Sequence, residues 1–204
     1  MPDYSKIYNE VLAIERDAIG SLLETLDRGA MDRIVDLLLT VKGNSKKVIT
    51  AGCGTSGIAA HKIAHTLSVI EVPSFFLSPA DSVHGGMGAI QQGDVVILLT
   101  KGGNTQEIVS YIPVCKEKKA IVIGVTGDEN SILGKNCDIL LKVPVKREAC
   151  PWNLAASASI VATLAAFDAI AFTVMQHNGF TKKDFYLTHP GGSVGDRLRC
   201  DKPG

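Results

Sequence analysis

The chain has 204 residues, of which 46% are hydrophobic and 21% are charged. This length is enough for one domain with its own core, and the composition excludes a mainly disordered protein. The 21 basic and 21 acidic side chains cancel, which disfavours a nucleic-acid partner, because nucleic-acid-binding proteins usually carry a basic field. The same balance disfavours binding to a membrane surface through a polybasic patch.

The five cysteines are odd in number and include no Cys-x-x-Cys pair. A disulfide framework or a structural zinc site would need paired, closely spaced cysteines. We therefore expect free thiols in a reducing compartment. The N-terminus has no apolar stretch followed by a cleavage site, so we expect no secretory signal and a cytoplasmic location.

The first forty residues have the period of an α-helix. Apolar residues recur every three or four positions over residues 7–22, Gly29 ends this pattern, and a second such run covers residues 31–41. The sequence therefore predicts N-terminal helices within residues 1–43.

From residue 44 onward, short apolar runs alternate with helical patterns. The predicted strands are residues 47–51, 74–77, 94–100, 120–126 and 138–143, and the predicted helices between them cover residues 57–70, 105–119 and 131–136. Strands that alternate with helices form parallel sheets covered on both faces. The sequence predicts an α/β fold, namely a three-layer sandwich with a mostly parallel five-stranded sheet and an α/β core over residues 44–199.

Residues 154–175 carry one charge, Asp168, and are long enough to cross a bilayer. A single span with a central Asp and no partner would be costly, and Ala, Ser and Thr make the segment only modestly hydrophobic. We predict instead a helix that is buried in the domain or in a contact between subunits, and no membrane partner.

The first glycine-rich turn, residues 52–57, has the sequence Gly-Cys-Gly-Thr-Ser-Gly. Its spacing is that of the dinucleotide fingerprint, but that motif also needs an acidic residue at the end of the second strand. Glu71 precedes that strand and Asp81 lies beyond it, so a nicotinamide site is disfavoured. Two interpretations remain: a tight turn with Ser56 as a helix cap, or an anion site formed by backbone N–H groups and by the hydroxyls of Thr55 and Ser56.

A second turn, residues 100–107, follows the most apolar predicted strand and begins a helix. Thr105 is a candidate N-cap, and Lys101 adds a positive charge. Turns that follow adjacent parallel strands meet at one edge of the sheet. We therefore predict that both turns bind one small molecule with a phosphate group. The candidate binding residues are Gly54, Thr55, Ser56, Lys101, Gly102, Gly103, Asn104 and Thr105.

Several motifs together carry a resemblance to a known family. They are Gly52-x-Gly-x-Ser-Gly57, Pro73-Ser-Phe-Phe76, His84-Gly85, Lys146-x-Glu-Ala-Cys-Pro151 and His189-Pro-Gly-Gly192, the last within the especially specific run 179–192. On these motifs, residues 46–199 resemble the sugar isomerase (SIS) domain, and within that group the D-arabinose 5-phosphate isomerases. Such enzymes convert D-ribulose 5-phosphate to D-arabinose 5-phosphate, which feeds synthesis of Kdo for bacterial lipopolysaccharide and capsules.

The resemblance implies a SIS fold, which is flavodoxin-like or Rossmann-like, and an enzyme without a cofactor. It also implies a homo-oligomer, a dimer or a tetramer, in which sites are shared between chains. Many relatives continue into a pair of CBS modules, which here would begin at residues 200–204. We therefore expect residues 1–204 to be a single SIS domain, from either a short-form protein or a shortened one.

The two turns depart from the family's usual pattern. Family members commonly have a lysine in the first turn, where this chain has Thr55, and Asn-Ser-Gly-Glu in the second, where this chain has residues 101–104. Our interpretation is that the positive charge has moved from the first turn to Lys101.

Aldose–ketose isomerisation through an enediol needs ring opening, a base that moves a proton between C1 and C2, and an acid for the oxygens. By resemblance, Glu148 is the first candidate for the base and Glu107 the second, although the spacing of Glu107 from Asn104 also suits a capping box. His189 is the candidate for proton transfer to oxygen or for ring opening, because an imidazole titrates near neutral pH. His84 is its candidate partner, within one chain or in a neighbour's site.

Ser157 and Ser159, at the start of the long apolar helix, are further candidates for contact with the sugar or the phosphate. A metal site is not expected, since His61 and His65 have i, i+4 spacing without an evident third ligand. Two other functions stay open: a SIS module that senses a sugar phosphate without turnover, and an isomerase of another phosphosugar.

Overall fold

The computed structural model describes residues 3–200, without the side chains at positions 194 and 198–200. The five strands are β1 (Val48–Gly52), β2 (Ser74–Phe76), β3 (Val95–Leu99), β4 (Ile121–Thr126) and β5 (Ile139–Lys142). They form one sheet in the order β2-β1-β3-β4-β5, and every pairing is parallel. The predicted α/β fold with five strands is confirmed, and no strand end differs from its predicted position by more than one residue.

The helices described within residues 3–200 flank this sheet. They are α1 (Ser5–Thr25), α2 (Arg28–Val41), α3 (Gly54–Val69), α4 (Pro79–Ser82), α5 (Gln106–Val109), α6 (Tyr111–Lys118), α7 (Ile132–Asn136), α8 (Ala158–His177), α9 (Lys182–Thr188) and α10 (Gly192–Cys200). A short 3₁₀ turn covers Gly86–Ala89.

The sheet buries both of its faces, as the three-layer prediction requires. Alternate side chains of β3 point to opposite faces: Val95 and Ile97 pack in one core with α1, α2, α3 and α8. Val96 and Leu98 pack in a second core with residues of α5, α6 and α7. Because a strand's side chains alternate, a fully apolar strand is the pattern expected of a sheet that is covered on both sides.

The long apolar helix α8 belongs to the core of the domain. Judged only by its length and composition, this helix could cross a membrane. In the structure, however, it packs against α1, α2 and α3, and its buried residues lie in the first core. Its one charge, Asp168, forms an ion pair with Lys62 of α3. The prediction of a helix buried in the domain is confirmed.

Two predicted boundaries are wrong for identifiable reasons. Gly29 does not end the first helix, since the break lies at residues 26–27, where the Asp27 side chain accepts the Ala30 N–H and caps α2. The helix predicted over residues 105–119 is two helices, α5 and α6. Pro113 has no N–H to donate to Val109, the last residue of α5, so the helical ladder is interrupted there.

The glycines of the first turn let α3 approach β1 closely. A Cβ on Gly57 would lie 2.7 Å from the carbonyl oxygen of Gly52, and Gly54 has a positive φ of 55°. The helix starts at Gly54 with Cys53 as N-cap, and Cys53 makes no side-chain capping bond. The interpretation of Ser56 as the cap is therefore wrong: Ser56 lies within the first helical turn, where N–H groups have no partner inside the helix.

We expect Gly57→Ala to lower the free energy of unfolding by roughly 1–3 kcal/mol, because the added methyl group overlaps backbone that cannot move aside easily. Gly20→Ala, at an open position inside α1, is the matched control and should raise stability by about 0.5–1 kcal/mol. Urea unfolding of both variants checks this. A change of the same sign in the two variants would contradict the close approach of α3 and β1.

Candidate active site

Both glycine-rich turns lie at the edge of the sheet where the strands end. The first follows β1 and the second follows β3, and these strands are neighbours in the sheet. β2 pairs with the other side of β1, so the order of the strands reverses at this point, which is where open α/β sheets bind their ligands. The prediction that the turns meet at one carboxyl edge agrees with this topology.

A small pocket lined by both polar and apolar residues opens between the two turns and the start of α8. Its volume is about 20 Å³, and its polar lining residues are Ser56, Thr100, Lys101, Thr126, Ser159 and Thr163. A larger cavity of about 340 Å³ shares Lys101, Gly127 and Val143 with it and extends along Gly102, Pro144 and Val145. Among the described residues that line either space, Lys101 is the one charged side chain.

Glu148 lies beside this pocket in the loop between β5 and α8, and its side chain is fully buried. One oxygen, Oε1, is 2.6 Å from Lys101 Nζ, whereas the Lys101 side chain is 49% exposed. The other oxygen, Oε2, accepts the Ser157 N–H at 2.9 Å and the Ser159 N–H at 3.1 Å, and it lies 3.3 Å from Ser157 Oγ. A buried carboxylate is thus joined to one half-exposed cation and to the N-terminus of a 20-residue helix.

Three contacts hold the loop around Glu148 in place. Asn153 Oδ1 accepts the Glu148 N–H at 2.7 Å, and Ser157 Oγ accepts the Ala149 N–H at 2.8 Å. Cys150 Sγ accepts backbone N–H groups of the following turn at 3.1 Å. The loop therefore fixes the carboxylate through its own backbone as well as through α8.

The surroundings of Glu148 favour its charged form. Burial acts to raise the pKa of this carboxyl, but the Lys101 ammonium, the Ser159 hydroxyl and the backbone amides of Ser157 and Ser159 outweigh it and lower the pKa to about 2. The positive end of the α8 dipole acts in the same direction. Ser159 Oγ lines the pocket and is buried without a hydrogen bond of normal geometry, so its single O–H can turn either to Glu148 or to a ligand in the pocket.

Glu107 lies in the first turn of α5 and is exposed. The N-cap position is Thr105, so Glu107 is two residues into the helix, and the capping-box alternative based on Asn104 is wrong. Burial raises the pKa of Cys53, and the charge of Glu107 adds to this effect. Glu107 is therefore close to the first turn and lies at the same edge of the sheet as Glu148.

Several residues of the second turn are used in contacts that fix the turn to neighbouring segments, so they are not available to bind a ligand. Asn104 Oδ1 accepts the Ile132 N–H at 2.9 Å, and a Cβ on Gly103 would lie 1.9 Å from Ser131 Oγ. Thr105 is the N-cap residue without a side-chain capping bond, and its hydroxyl lies 2.7 Å from the Thr100 hydroxyl. Among the predicted phosphate-binding residues, Ser56 and Lys101 line the small pocket and Gly102 lines the larger cavity, whereas Gly54 and Thr55 are exposed at the start of α3.

The two candidate histidines lie in different regions of the fold. His84 is exposed just after α4, and α4 contacts α5, the helix of Glu107. His189 follows α9, where its ring stacks on Phe185 with centroids 4.2 Å apart.

The start of α9 is close to the opposite edge of the sheet from Glu148. Asn178, which follows α8, donates to the carbonyl oxygen of Ile70 just before β2. In α9, contacts with Thr181 and, more weakly, the charge of Lys42 lower the pKa of Asp184. α8 spans about 30 Å between the two edges, and the contacts described for His189 are with Phe185, Tyr186 and Thr188 rather than with the loop around Glu148.

Sequence reasoning missed the pocket residues Thr100, Thr126 and Thr163. Thr100 and Thr126 each stand at the end of a predicted apolar strand. Because ligands bind at the carboxyl edge of such a sheet, this position could have indicated them as pocket residues. Thr163 lies one helical turn after Ser159, so the spacing could also have indicated it. Over residues 3–200, the structure contains no group of three or more His, Cys, Asp or Glu side chains arranged to hold a metal ion.

Comparison with known proteins gives the family. The model of the SIS domain matches residues 43–173. The chain belongs to the SIS domain family. Arabinose 5-phosphate isomerase KdsD of Pseudomonas aeruginosa is 40% identical over 196 residues, which are 96% of this chain and 59% of that protein. The chain thus spans somewhat more than half the length of this curated relative.

Two solved structures are similar to this one over nearly the whole chain. A Listeria monocytogenes protein, proposed to be a sugar-phosphate isomerase, is 39% identical with a TM-score of 0.88, covering 94% of this chain and 100% of that one. An Escherichia coli CFT073 protein in complex with arabinose 5-phosphate is 32% identical with a TM-score of 0.86, covering 93% of this chain and 100% of that one. These structures support the SIS fold predicted from the sequence.

We expect the contribution of Glu148 to stability to depend on pH. Its folded-state pKa of about 2 lies below the ordinary value of 4.5, so the stabilisation is complete above about pH 4.5 and is lost as the pH falls towards 2, with an upper limit of about 3 kcal/mol. Urea unfolding of wild type and Glu148→Gln between pH 3 and pH 7 measures this. The difference in the free energy of unfolding between wild type and Glu148→Gln should shrink as the pH falls. A difference that stays constant with pH would contradict the electrostatic account. Glu107→Gln, which changes an exposed carboxyl, is the control.

Proposed function

We propose that this chain is an aldose–ketose isomerase that interconverts D-ribulose 5-phosphate and D-arabinose 5-phosphate through an enediol, for Kdo, lipopolysaccharide or capsule synthesis. The observation that carries the proposal is the buried Glu148 carboxylate beside Lys101, next to a hydroxyl-lined pocket at the carboxyl edge of the sheet. The arabinose 5-phosphate bound to the Escherichia coli relative supports the choice of substrate.

The phosphate binds at the mouth of the small pocket, because a volume of about 20 Å³ has room for little more than one water molecule. Unpaired N–H groups at the start of α3, the hydroxyls of Ser56 and Ser159, and the ammonium of Lys101 are suitable donors to a phosphate oxygen. The sugar then extends into the larger cavity along Gly102 and Val143. Lys101 here supplies the charge that relatives commonly place at the position of Thr55.

Glu148 is the base in this proposal. In the direction from ketose to aldose, its carboxylate removes a proton from C1 of the sugar, the enediolate forms, and the proton is returned to C2. A second group moves a proton from the oxygen on C1 to the oxygen on C2. Glu107, at the same edge of the sheet, is the alternative base or a group that organises the site. No organic cofactor or metal is required by this sequence of steps.

The histidines are supplied through assembly of the chain into a homo-oligomer, a dimer or a tetramer. The contacts described for His189 do not include Glu148, so in this proposal it enters the site from a neighbouring subunit, as does His84 if the same contact places it there. One of them opens the sugar ring or shuttles the proton between the oxygens, since imidazole exchanges protons near neutral pH. The proposal also includes a single SIS domain over residues 1–204 and a cytoplasmic location.

One observation favours a second candidate function. Thr55 takes the place of the lysine common in the first turn, and a SIS module that only senses sugar phosphates would not need that lysine. Incubation of concentrated protein with D-ribulose 5-phosphate distinguishes the two: isomerisation supports the enzyme, and saturable binding without any D-arabinose 5-phosphate supports the sensor. Turnover of another phosphosugar in preference to D-ribulose 5-phosphate would support the third function, an isomerase with a different substrate.

We expect Glu148→Gln to lower kcat by about 10²-fold or more, the scale of a lost acid–base group, with a smaller change in KM. Measurement of D-arabinose 5-phosphate formation from D-ribulose 5-phosphate at pH 7.5 gives kcat and KM. Circular dichroism checks that the variant is folded. Glu107→Gln is the matched variant. Near-normal turnover of Glu148→Gln together with loss in Glu107→Gln would transfer the role of base to Glu107.

A mixing experiment tests the shared site. Glu148→Gln and His189→Ala should each be nearly inactive, but oligomers that contain both should regain activity, because one site then combines the intact Glu148 of one chain with the intact His189 of another. Random mixing at equal amounts gives about a quarter of wild-type activity. A mixture no more active than the separate variants, at verified subunit exchange, would contradict the shared site.

A further inference from the structure

In the proposed function, Lys101 lies next to two anionic groups, the Glu148 carboxylate and the phosphate of the substrate. Its Nζ is 2.6 Å from Glu148 Oε1, yet the same side chain lines the pocket proposed for the phosphate and is about half exposed. It is the one charged residue among the described residues that line the pocket and the adjoining cavity. A bound phosphate and the Glu148 carboxylate therefore both attract a single ammonium group.

Departure of Lys101 leaves the two carboxylate oxygens in different states. Ser157 N–H and Ser159 N–H remain on Oε2, together with the nearby Ser157 hydroxyl. Oε1 is buried and has no other hydrogen-bond partner among the described residues, so the loss of the lysine makes protonation of the carboxylate more favourable. The lysine itself has a long, flexible side chain with rotatable donors, which suits exchange between two nearby partners.

Departure of Lys101 also changes the chemistry of Glu148. A carboxylate beside an ammonium holds protons weakly, and a weakly basic group is a poor acceptor of a proton from carbon. An opposite charge within hydrogen-bond distance lowers the pKa of a carboxyl by about 1–3 pH units, so its removal reverses that effect. In the ligand-free arrangement, Glu148 is therefore a weak base because it is paired with Lys101.

We propose that the substrate's phosphate draws Lys101 away from Glu148, so that the base gains proton affinity only when a sugar phosphate occupies the site. This inference rests on the proposed function and adds regulation of the same site. The ion pair keeps the buried base ionised and inactive in the empty site. The phosphate carries up to two negative charges, against one on the carboxylate, and the half-exposed side chain of Lys101 also lines the pocket, so the phosphate is a strong competitor for the ammonium group.

The test is an NMR titration of the Glu148 carboxyl in protein labelled with ¹³C at glutamate Cδ. Glu148→Gln identifies the signal by its absence, and D-arabinitol 5-phosphate, a sugar alcohol that cannot be isomerised, is the probe. In wild type, we expect the midpoint of the Glu148 titration to rise by about 1–3 pH units when the probe is bound. In Lys101→Met the midpoint should be raised already and should not respond to the probe, whereas Lys101→Arg should restore the response.

The wild-type comparison alone decides the inference, even if Lys101→Met does not fold. Saturable binding of the probe without any change in the Glu148 titration would overturn it and would make Lys101 a permanent partner of the carboxylate. In that case, continued isomerisation of D-ribulose 5-phosphate by wild type would leave the proposed function standing. If wild type neither isomerises that substrate nor binds the probe, the proposed function fails and the inference fails with it.

Discussion

A carboxylate buried at the N-terminus of a long helix is the interaction on which the rest of this site depends. Glu148 brings a negative charge to a fully buried position, and the fold compensates for that charge from two sides. The backbone amides at the start of α8 form one side, and Lys101, carried by the turn after β3, forms the other. The position of α8 relative to the sheet is therefore tied to the chemistry at the carboxyl edge.

This arrangement explains why the apolar helix α8 lies inside the domain. Its buried face fills the core between α1, α2 and α3, while its first residues supply donors to Glu148 and a hydroxyl to the pocket. One helix thus links the stability of the core to the geometry of the site. Its far end lies near the opposite edge of the sheet, and α9 with His189 follows from there, which is why the proposed function includes assembly of subunits.

Much of the fold could be predicted from the sequence because its signals are local. The alternation of apolar strands with helical patterns predicts all five strands, and the glycine-rich turns indicate the edge of the sheet that binds ligand. The errors arise where a single residue changes the backbone hydrogen bonds: Asp27 as a cap, and Pro113 as a break between α5 and α6.

The site was less predictable, because its decisive contacts join distant segments. Glu148 and Lys101 were each indicated separately, the first by resemblance and the second by its place in a glycine-rich turn, but nothing in their spacing indicates a contact between them. Lys101 follows β3 and Glu148 follows β5, with β4 between these strands in the sheet. Nor does an isolated glutamate in a loop suggest complete burial, since such residues are usually solvated. The roles of Asn104 and Gly103 as anchors likewise depend on their contacts with the loop after β4.

A crystal structure of the protein with D-arabinitol 5-phosphate would test the central claim most directly, namely that one site holds the phosphate and presents the sugar to Glu148. The account predicts phosphate oxygens within hydrogen-bond distance of Ser56 and Lys101, with C1 and C2 of the ligand next to the Glu148 carboxylate. A phosphate bound away from both glycine-rich turns, or a sugar chain that points away from Glu148, would contradict it.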